Sequence, residues 1–351
     1  MCIRDRSNIS IYGNVTTEKF VLLRFSGDNI FNHNKQRLSY AGAFVYFPGA
    51  FYGVGYNAGA EGYAQELTTT MGIFRISYCT ALAGRFYIGV SGGIDYTGAK
   101  YKDTGMVAYM NDIKADAEAG KPVPGGRMGE LYTLWQQGRY DPAKQDPFSN
   151  YITESGDNPD AFNTSLGLFA QYDTRDVTFN ASKGIFIKAE AKWYPEWLGN
   201  TRRSFGRFTL TFDFYQKLWK GAIFAYDLYA DFTAGTPSWH MYAKMGGMER
   251  MRGYYEGRYR DKRLVETQIE LRQKIYRRHG IVAWIGGGQV WGTDKFRWDN
   301  TLYSFGCGYR FEFKNRMNIR LDYGWGVYGN QNLPWDRKRS SAFLFTASEA
   351  F

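Results

Sequence analysis

The fold turns on one stretch, Lys244–Lys274, which reads KMGGMERMRGYYEGRYRDKRLVETQIELRQK. Its first half is glycine-rich and strongly basic. Its second half alternates as a strand does: Val265, Thr267, Ile269 and Leu271 take one side, and Glu266, Gln268, Glu270 and Arg272 the other. A loop this basic is ordinarily a solvated surface. Here it stands between two long alternating segments, and the same alternation recurs along most of the chain. One arrangement accommodates both facts: a β-barrel whose 235–262 loop folds back inside and places Arg252 in a polar interior.

The alternation is strictest toward the C-terminus. In 302–313, Tyr303, Phe305, Cys307, Tyr309, Phe311 and Phe313 oppose Ser304, Gly306, Gly308, Arg310 and Glu312. In 316–327, Met317, Ile319, Leu321, Tyr323, Trp325 and Val327 oppose Asn318, Arg320, Asp322, Gly324 and Gly326. One face is therefore apolar and the other carries charges of both signs, as a wet or hydrogen-bonded lumen would. Further lumenal charges are expected at Lys188, Glu190, Asp213, Asp227, Asp231 and Glu266. Toward the N-terminus, strands are expected over 8–15, 17–28 and 36–47, with a turn at Pro48-Gly49 and a short strand near 51–57. A hairpin follows over 68–81 and 84–97.

Composition agrees. Aromatics make up 18% of the 351 residues, with 41 Gly, 28 Tyr and 26 Phe. Mean hydropathy is only −0.47, so bulky rings are diluted by polar residues. That mixture suits strands with one face in lipid and the other in water. No run approaches the roughly 20 apolar residues a membrane helix needs. A membrane protein built this way must be a closed barrel, because open sheet edges go unsatisfied in hydrocarbon. The net charge of +10 is scattered among acids, which argues against nucleic acid and for an anionic membrane surface bearing lipopolysaccharide.

The expected architecture is thus an all-β, transmembrane, antiparallel up-and-down barrel of the Gram-negative outer membrane. Short and long connections take turns, as on barrels with one short-turn rim and one long-loop rim. About fifteen strands can be counted. Such barrels have an even number, so a sixteenth is expected upstream of residue 8. Residues 99–161 break the alternation and read as a long outer loop with short helices near 105–119 and 127–138. Residues 1–7 lack the apolar core of a secretory signal and read as a non-native or disordered N-terminus before an 8–351 barrel.

Several motifs in order resemble the outer-membrane assembly-factor superfamily, the BamA and TamA relatives also called surface-antigen barrels. They are Asp173, Arg175 and Asp176 with Gly184, then Gly246-Gly247 running into Met251-Arg252-Gly253-Tyr254. Glu270-Leu271-Arg272 follows, then the glycine-containing strand Trp284 to Trp291, with Gly288. The likeness spans roughly 160–351, and the first hundred residues more loosely. It implies insertion or translocation of other outer-membrane proteins through a weak seam between first and last strands. Unfolded outer-membrane proteins, periplasmic or lipoprotein partners, and outer-membrane lipids are the partners it implies. The alternative is a passive pore or an anchor for a partner.

Two departures stand out. Relatives read aromatic-x-Asp-x-Gly where this chain has Trp284, Ile285, Gly286, Gly287, Gly288, so Gly286 holds the acidic position and Arg252 is expected to rely on Glu270. The relatives' periplasmic transport-associated (POTRA) domains also have no room here: either they were lost with the N-terminus or the chain is of a barrel-only branch. The C-terminal Phe343, Phe345 and Phe351 resemble the signal read by the outer-membrane assembly machinery.

Catalysis has little support. His33, His240 and His279 lie in expected turns or loops without metal-spaced partners, and Cys2, Cys79 and Cys307 have no metal spacing. His240 beside Ser238 is the nearest approach to a nucleophile–base pair. No catalytic residue, metal or cofactor is expected.

Overall fold

Fourteen strands follow one another in a single antiparallel sheet, each hydrogen-bonded to its neighbour in the chain. The computed structural model describes residues 7–351 except 16–19, 34, 179, 201–202, 315–316, 328–339 and 347–350. The strands are β1 (Asn8–Val15), β2 (Val21–Phe31), β3 (Gln36–Phe51), β4 (Gln65–Ala83), β5 (Phe86–Tyr101), β6 (Asp160–Asp173), β7 (Gly184–Tyr194), β8 (Phe205–Lys217) and β9 (Ala222–Ala234). After the two-residue strands β10 (Ala243–Lys244) and β11 (Arg260–Asp261), which pair only with each other, come β12 (Arg263–Tyr276), β13 (His279–Trp291), β14 (Leu302–Lys314), β15 (Met317–Val327) and β16 (Ser340–Thr346). β1 and β16 end the order, and among the described residues no register joins them.

The alternation sorts side chains as their chemistry requires. Leu23, Phe25, Phe74, Ile76, Val90, Leu168, Ile285, Phe305 and Tyr323 are exposed on the outer face. Asp95, Glu190, Asp213, Asp227, Glu266, Glu270, Arg310, Arg320 and Asp322, on the alternate positions, are buried inside. An apolar exterior of this extent is far beyond what a soluble monomer leaves in water, and it is what a lipid-facing wall needs. Register makes the sorting strict. Glu270 lies opposite Trp284, and Gly308 lies opposite Asp322, so a one-residue slip would turn charges into the hydrocarbon.

The connections differ sharply at the two rims. One rim has short turns, 32–35, 84–85, 218–221 and 277–278, with a longer one at 174–183. The other carries α1 (Tyr56–Glu61) and, between β5 and β6, α2 (Met106–Glu118), α3 (Gly126–Gln136) and α4 (Pro147–Ser155). Met110, Ile113, Leu131 and Leu134 bury the facing sides of α2 and α3 against Tyr63 and Tyr140. α4 is fixed to the wall by buried Gln65, whose Oε1 accepts from the Phe148 and Ser149 amides at 2.9 Å each. This meets the need of a helix start for acceptors.

Three expectations are corrected. Pro48-Gly49 is no turn: β3 runs through it, with Pro48 opposite Thr68. β2 accompanies β3 only to Tyr46, so Pro48 sits where the strand has a described partner on one side alone, and there a missing N–H is tolerated. The expected strand at 51–57 is the end of β3 followed by α1. Without it the sheet has fourteen strands among the described residues, an even number, so the count itself no longer calls for a sixteenth. The two expected helices correspond to α2 and α3. α4 was not foreseen, although Pro147 at its first position is a common helix start. The expectations for residues 1–6 and for the connection 328–339 lie outside the described residues.

Candidate functional site

The segment between β9 and β12 folds back against the inner face of the curved sheet. The β10–β11 pairing closes its base, with Ala243 opposite Asp261. Beyond that base Met245, Met251, Tyr254 and Tyr259 pack with Leu264, Val290 and Leu302 of the wall into a buried cluster. Gly246 and Gly247 follow at φ of +96° and +120°, and the Gly246 amide donates to Glu266 Oε1 at 3.3 Å. Gly288, inward on β13, leaves room for Met245 and Met251.

Arg252 is at the centre and wholly buried. Its guanidinium donates to Glu270 on β12, to Asp322 Oδ2 on β15 at 2.8 Å and to Gln268 Oε1 at 3.3 Å. It also lies over the Trp284 ring, 3.7 Å from the centroid. Two carboxylates and a ring face together offset the desolvation of one buried cation. The carboxylates are themselves shared: Arg272 donates to Glu270 at 2.8 Å, and Arg310 and Arg320 both pair with Asp322. The loop is tied elsewhere too. Arg250 chelates Asp227 with contacts of 2.7 Å, Arg320 donates to the Met248 carbonyl at 2.7 Å, and Gln268 to that of Glu249 at 2.9 Å.

The backbone after Arg252 lies flat on β15, and glycine makes that approach possible. A Cβ on Gly253, at φ +109°, would come within 2.8 Å of the Trp325 carbonyl carbon, and one on Gly324 within 2.7 Å of the Arg252 oxygen. The Arg252 and Gly253 carbonyls accept from Ser304 and Ser340. The Tyr254 hydroxyl reaches the Tyr303 carbonyl at 2.9 Å and the Val327 carbonyl at 2.5 Å. The loop thus holds five consecutive strands, β12 to β16, together from within.

The sequence profile of the Omp85 superfamily domain matches residues 39–351. The chain belongs to the Omp85 superfamily. It is a Gram-negative outer-membrane β-barrel of that family. None of the curated protein sequences compared with it matches. Among solved structures it is similar to BamA from Haemophilus ducreyi lacking POTRA domains 1–3, at 10% identity and a TM-score of 0.52, over 99% of this chain and 70% of that one. CdiB from Acinetobacter baumannii is similar at 9% identity and a TM-score of 0.54 over 97% of this chain. CdiB from Escherichia coli is similar at 10% and 0.58 over 96%. The chain spans only 52% and 55% of those two proteins. At such identities the likeness is one of fold.

The residues expected to form a strand signature, Asp173, Arg175, Asp176 and Gly184, fall at the short-turn rim. Arg175 donates to Asp173 at 3.0 Å and covers the Phe186 ring, while the Asp176 carboxylate accepts from the Ser182 amide at 2.8 Å. Gly184 ends that turn at φ +114°. Phe343 and Phe345 face outward from β16. Phe351 does not continue their row: its ring packs against Tyr215, and its carbonyl accepts from Arg272 at 3.3 Å. β16 is described to Thr346, so the expected strand closing on that phenylalanine falls partly on 347–350, outside the described residues.

Sequence reasoning missed Asp322 as a partner of Arg252, and with it Gly324, Gly326 and Ser304. Asp322 had been read only as a lumenal charge. It supplies from β15 the carboxylate that Gly286 lacks on β13. At the rim, Trp239 packs on Phe148 and Phe51, and its amide donates to Asp157 at 2.6 Å, so the helical insert grips the root of the loop. His240 beside it is buried. Burial first, then the nearby Lys244 and Arg207 charges, push its pKa well below the usual histidine value. Asn163 separates its ring from Ser238, touching Nε2 at 3.4 Å and accepting from the hydroxyl at 3.2 Å, which leaves no nucleophile–base hydrogen bond there. His279, expected in a turn, opens β13.

Proposed function

We propose that this Omp85 barrel assists the insertion or translocation of other outer-membrane proteins through the seam between β1 and β16. The observation that carries the reading is the strand order, in which no register joins those two strands among the described residues. Strand edges left without partners offer backbone donors and acceptors to an incoming strand. The Arg252 loop supports the same reading, because it braces β12 to β16 from inside and keeps the wall beside the seam in register. Arg252 with Glu270 and Asp322 is the lock in this scheme. Unfolded barrel proteins are the clients, with lipoproteins and lipopolysaccharide as neighbours. No step is chemical, so no catalytic residue or cofactor is assigned.

The test is the folding rate of an unfolded outer-membrane barrel added to liposomes containing this protein. Acceleration over empty liposomes is expected, with loss on Arg252→Ala. Equal rates with and without the protein would overturn the proposal. A passive pore is the second reading, and large planar-bilayer conductance unaffected by Arg252→Ala would favour it. The loop filling the lumen argues against such conductance.

A further inference from the structure

The two rims of the barrel differ in charge as well as in length. Each of the five described turns at the short-turn rim carries an exposed cation: Lys35, Arg85, Lys183, Lys220, and the pair Arg277 and Arg278. None of these turns carries an exposed Asp or Glu; Asp176 is half-buried and engaged by Ser182. Among the described residues no ion pair is formed by any of the six cations. The long-loop rim is mixed instead, with exposed Asp112, Asp116 and Glu130 among Lys114, Lys121 and Arg127.

Position decides what such a ring meets. Exposed apolar residues stand within four positions of the cations: Phe31 before Lys35, Leu82 before Arg85, Trp219 beside Lys220, and Ile275 and Tyr276 before Arg277. A strand advances about 3.3 Å per residue, so the cations lie within roughly 10 Å of the hydrocarbon boundary, at the depth of lipid phosphates. Trp and Tyr at the same level are typical of a membrane interface. In barrels of this kind the short turns face the periplasm.

We propose that the short-turn rim is a binding surface for anionic phospholipid head groups of the periplasmic leaflet, held by Lys35, Arg85, Lys183, Lys220, Arg277 and Arg278. The distribution favours lipid over an acidic protein. The cations recur on turn after turn around the rim, as a surrounding leaflet requires, whereas a docked protein would cover one sector. Polybasic segments at a membrane surface attract anionic lipids in this way, and the attraction fades within a Debye length. The inference rests on the barrel's place in the outer membrane and not on its role in insertion.

The experiment uses the whole chain reconstituted in phosphatidylcholine with spin-labelled phosphatidylglycerol or spin-labelled phosphatidylcholine as probe. The immobilised fraction of each gives the relative affinity. A several-fold preference for phosphatidylglycerol is expected, falling toward one at about 1 M salt and in a variant carrying Gln at all six positions. A control variant with Gln at Lys114, Lys121 and Arg127 of the other rim should keep the preference, and gel mobility before and after heating reports folding of both. Equal binding of the two lipids to the wild type overturns the proposal, as does a preference that survives the six changes. Absence of lipid preference together with polyglutamate binding that the six changes abolish would also overturn it, and would assign the rim to an acidic protein.

Discussion

Replacing Arg252 by alanine removes one guanidinium and three sets of contacts: the pairs with Glu270 and Asp322, the bond to Gln268 and the stacking on Trp284. Breaking a buried ion pair from one side costs about 3–5 kcal/mol when the other charge is stranded. Here neither carboxylate is stranded, because Glu270 keeps Arg272 and Asp322 keeps Arg310 and Arg320. The lower end, about 3 kcal/mol, is therefore the expected cost, and it shifts the docked–undocked equilibrium of the loop roughly a hundredfold. Two assays read it. Unfolding of the detergent-solubilised barrel, followed by gel mobility against temperature, should occur several degrees lower. Trypsin should also cut faster within 246–260, where arginines are otherwise shielded. Arg252→Lys should fall between wild type and alanine, because an ammonium lacks the planar fork that spans two carboxylates. An unchanged unfolding temperature with unchanged proteolysis would refute the claim that this side chain holds the loop.

Gly253→Ala should undock the loop about as severely as Arg252→Ala, since its methyl would strike the β15 backbone; protection from trypsin equal to wild type would count against that contact. Asp322→Asn should destabilise more than Glu270→Gln, because Asp322 faces three arginines and Glu270 two; the order of the unfolding temperatures checks this. The rim clamp should be pH-sensitive through His240. Its folded pKa lies below the unfolded value of about 6.5, so the stabilisation from its neutral form is complete above that pH and is lost as pH falls below it. His240→Gln should flatten the acid side of the unfolding profile near Trp239, measured by tryptophan fluorescence. Phe148→Ala should free the root of the loop at a cost of about 3–5 kcal/mol, the usual range for deleting a buried ring. Faster cleavage after Lys244 is the readout.

The sequence was most legible where one residue alone decides its side of the wall. The expected strands 302–313 and 316–327 correspond to Leu302–Lys314 and Met317–Val327 because ring and polar residues alternate there without interruption. The inward path of the Arg252 loop was readable from a basic, glycine-rich stretch trapped between two such strands. Asp322 was not readable as its partner. It stands 70 residues from Arg252, and the pairing depends on sheet curvature bringing β15 across from β12. The glycines on β15 alternate with its rings in the sequence, but nothing local says that another backbone lies on them. Pro48 misled for a related reason: proline usually breaks a strand, and only the register with β2 and β4 marks where one is harmless.

The contacts of Arg252 itself also bear on how the wall is completed. Arg250 reaches back to Asp227, whereas the anchors of Arg252 and Gly253 run from Gln268 to Ser340, all later in the chain. During synthesis and folding the arginine therefore emerges before any of its anchors and must wait, charged and hydrated, for strands not yet made. Its docking is complete only once β12 to β16 stand together around it. The last third of this sheet and the loop against it are thus completed together.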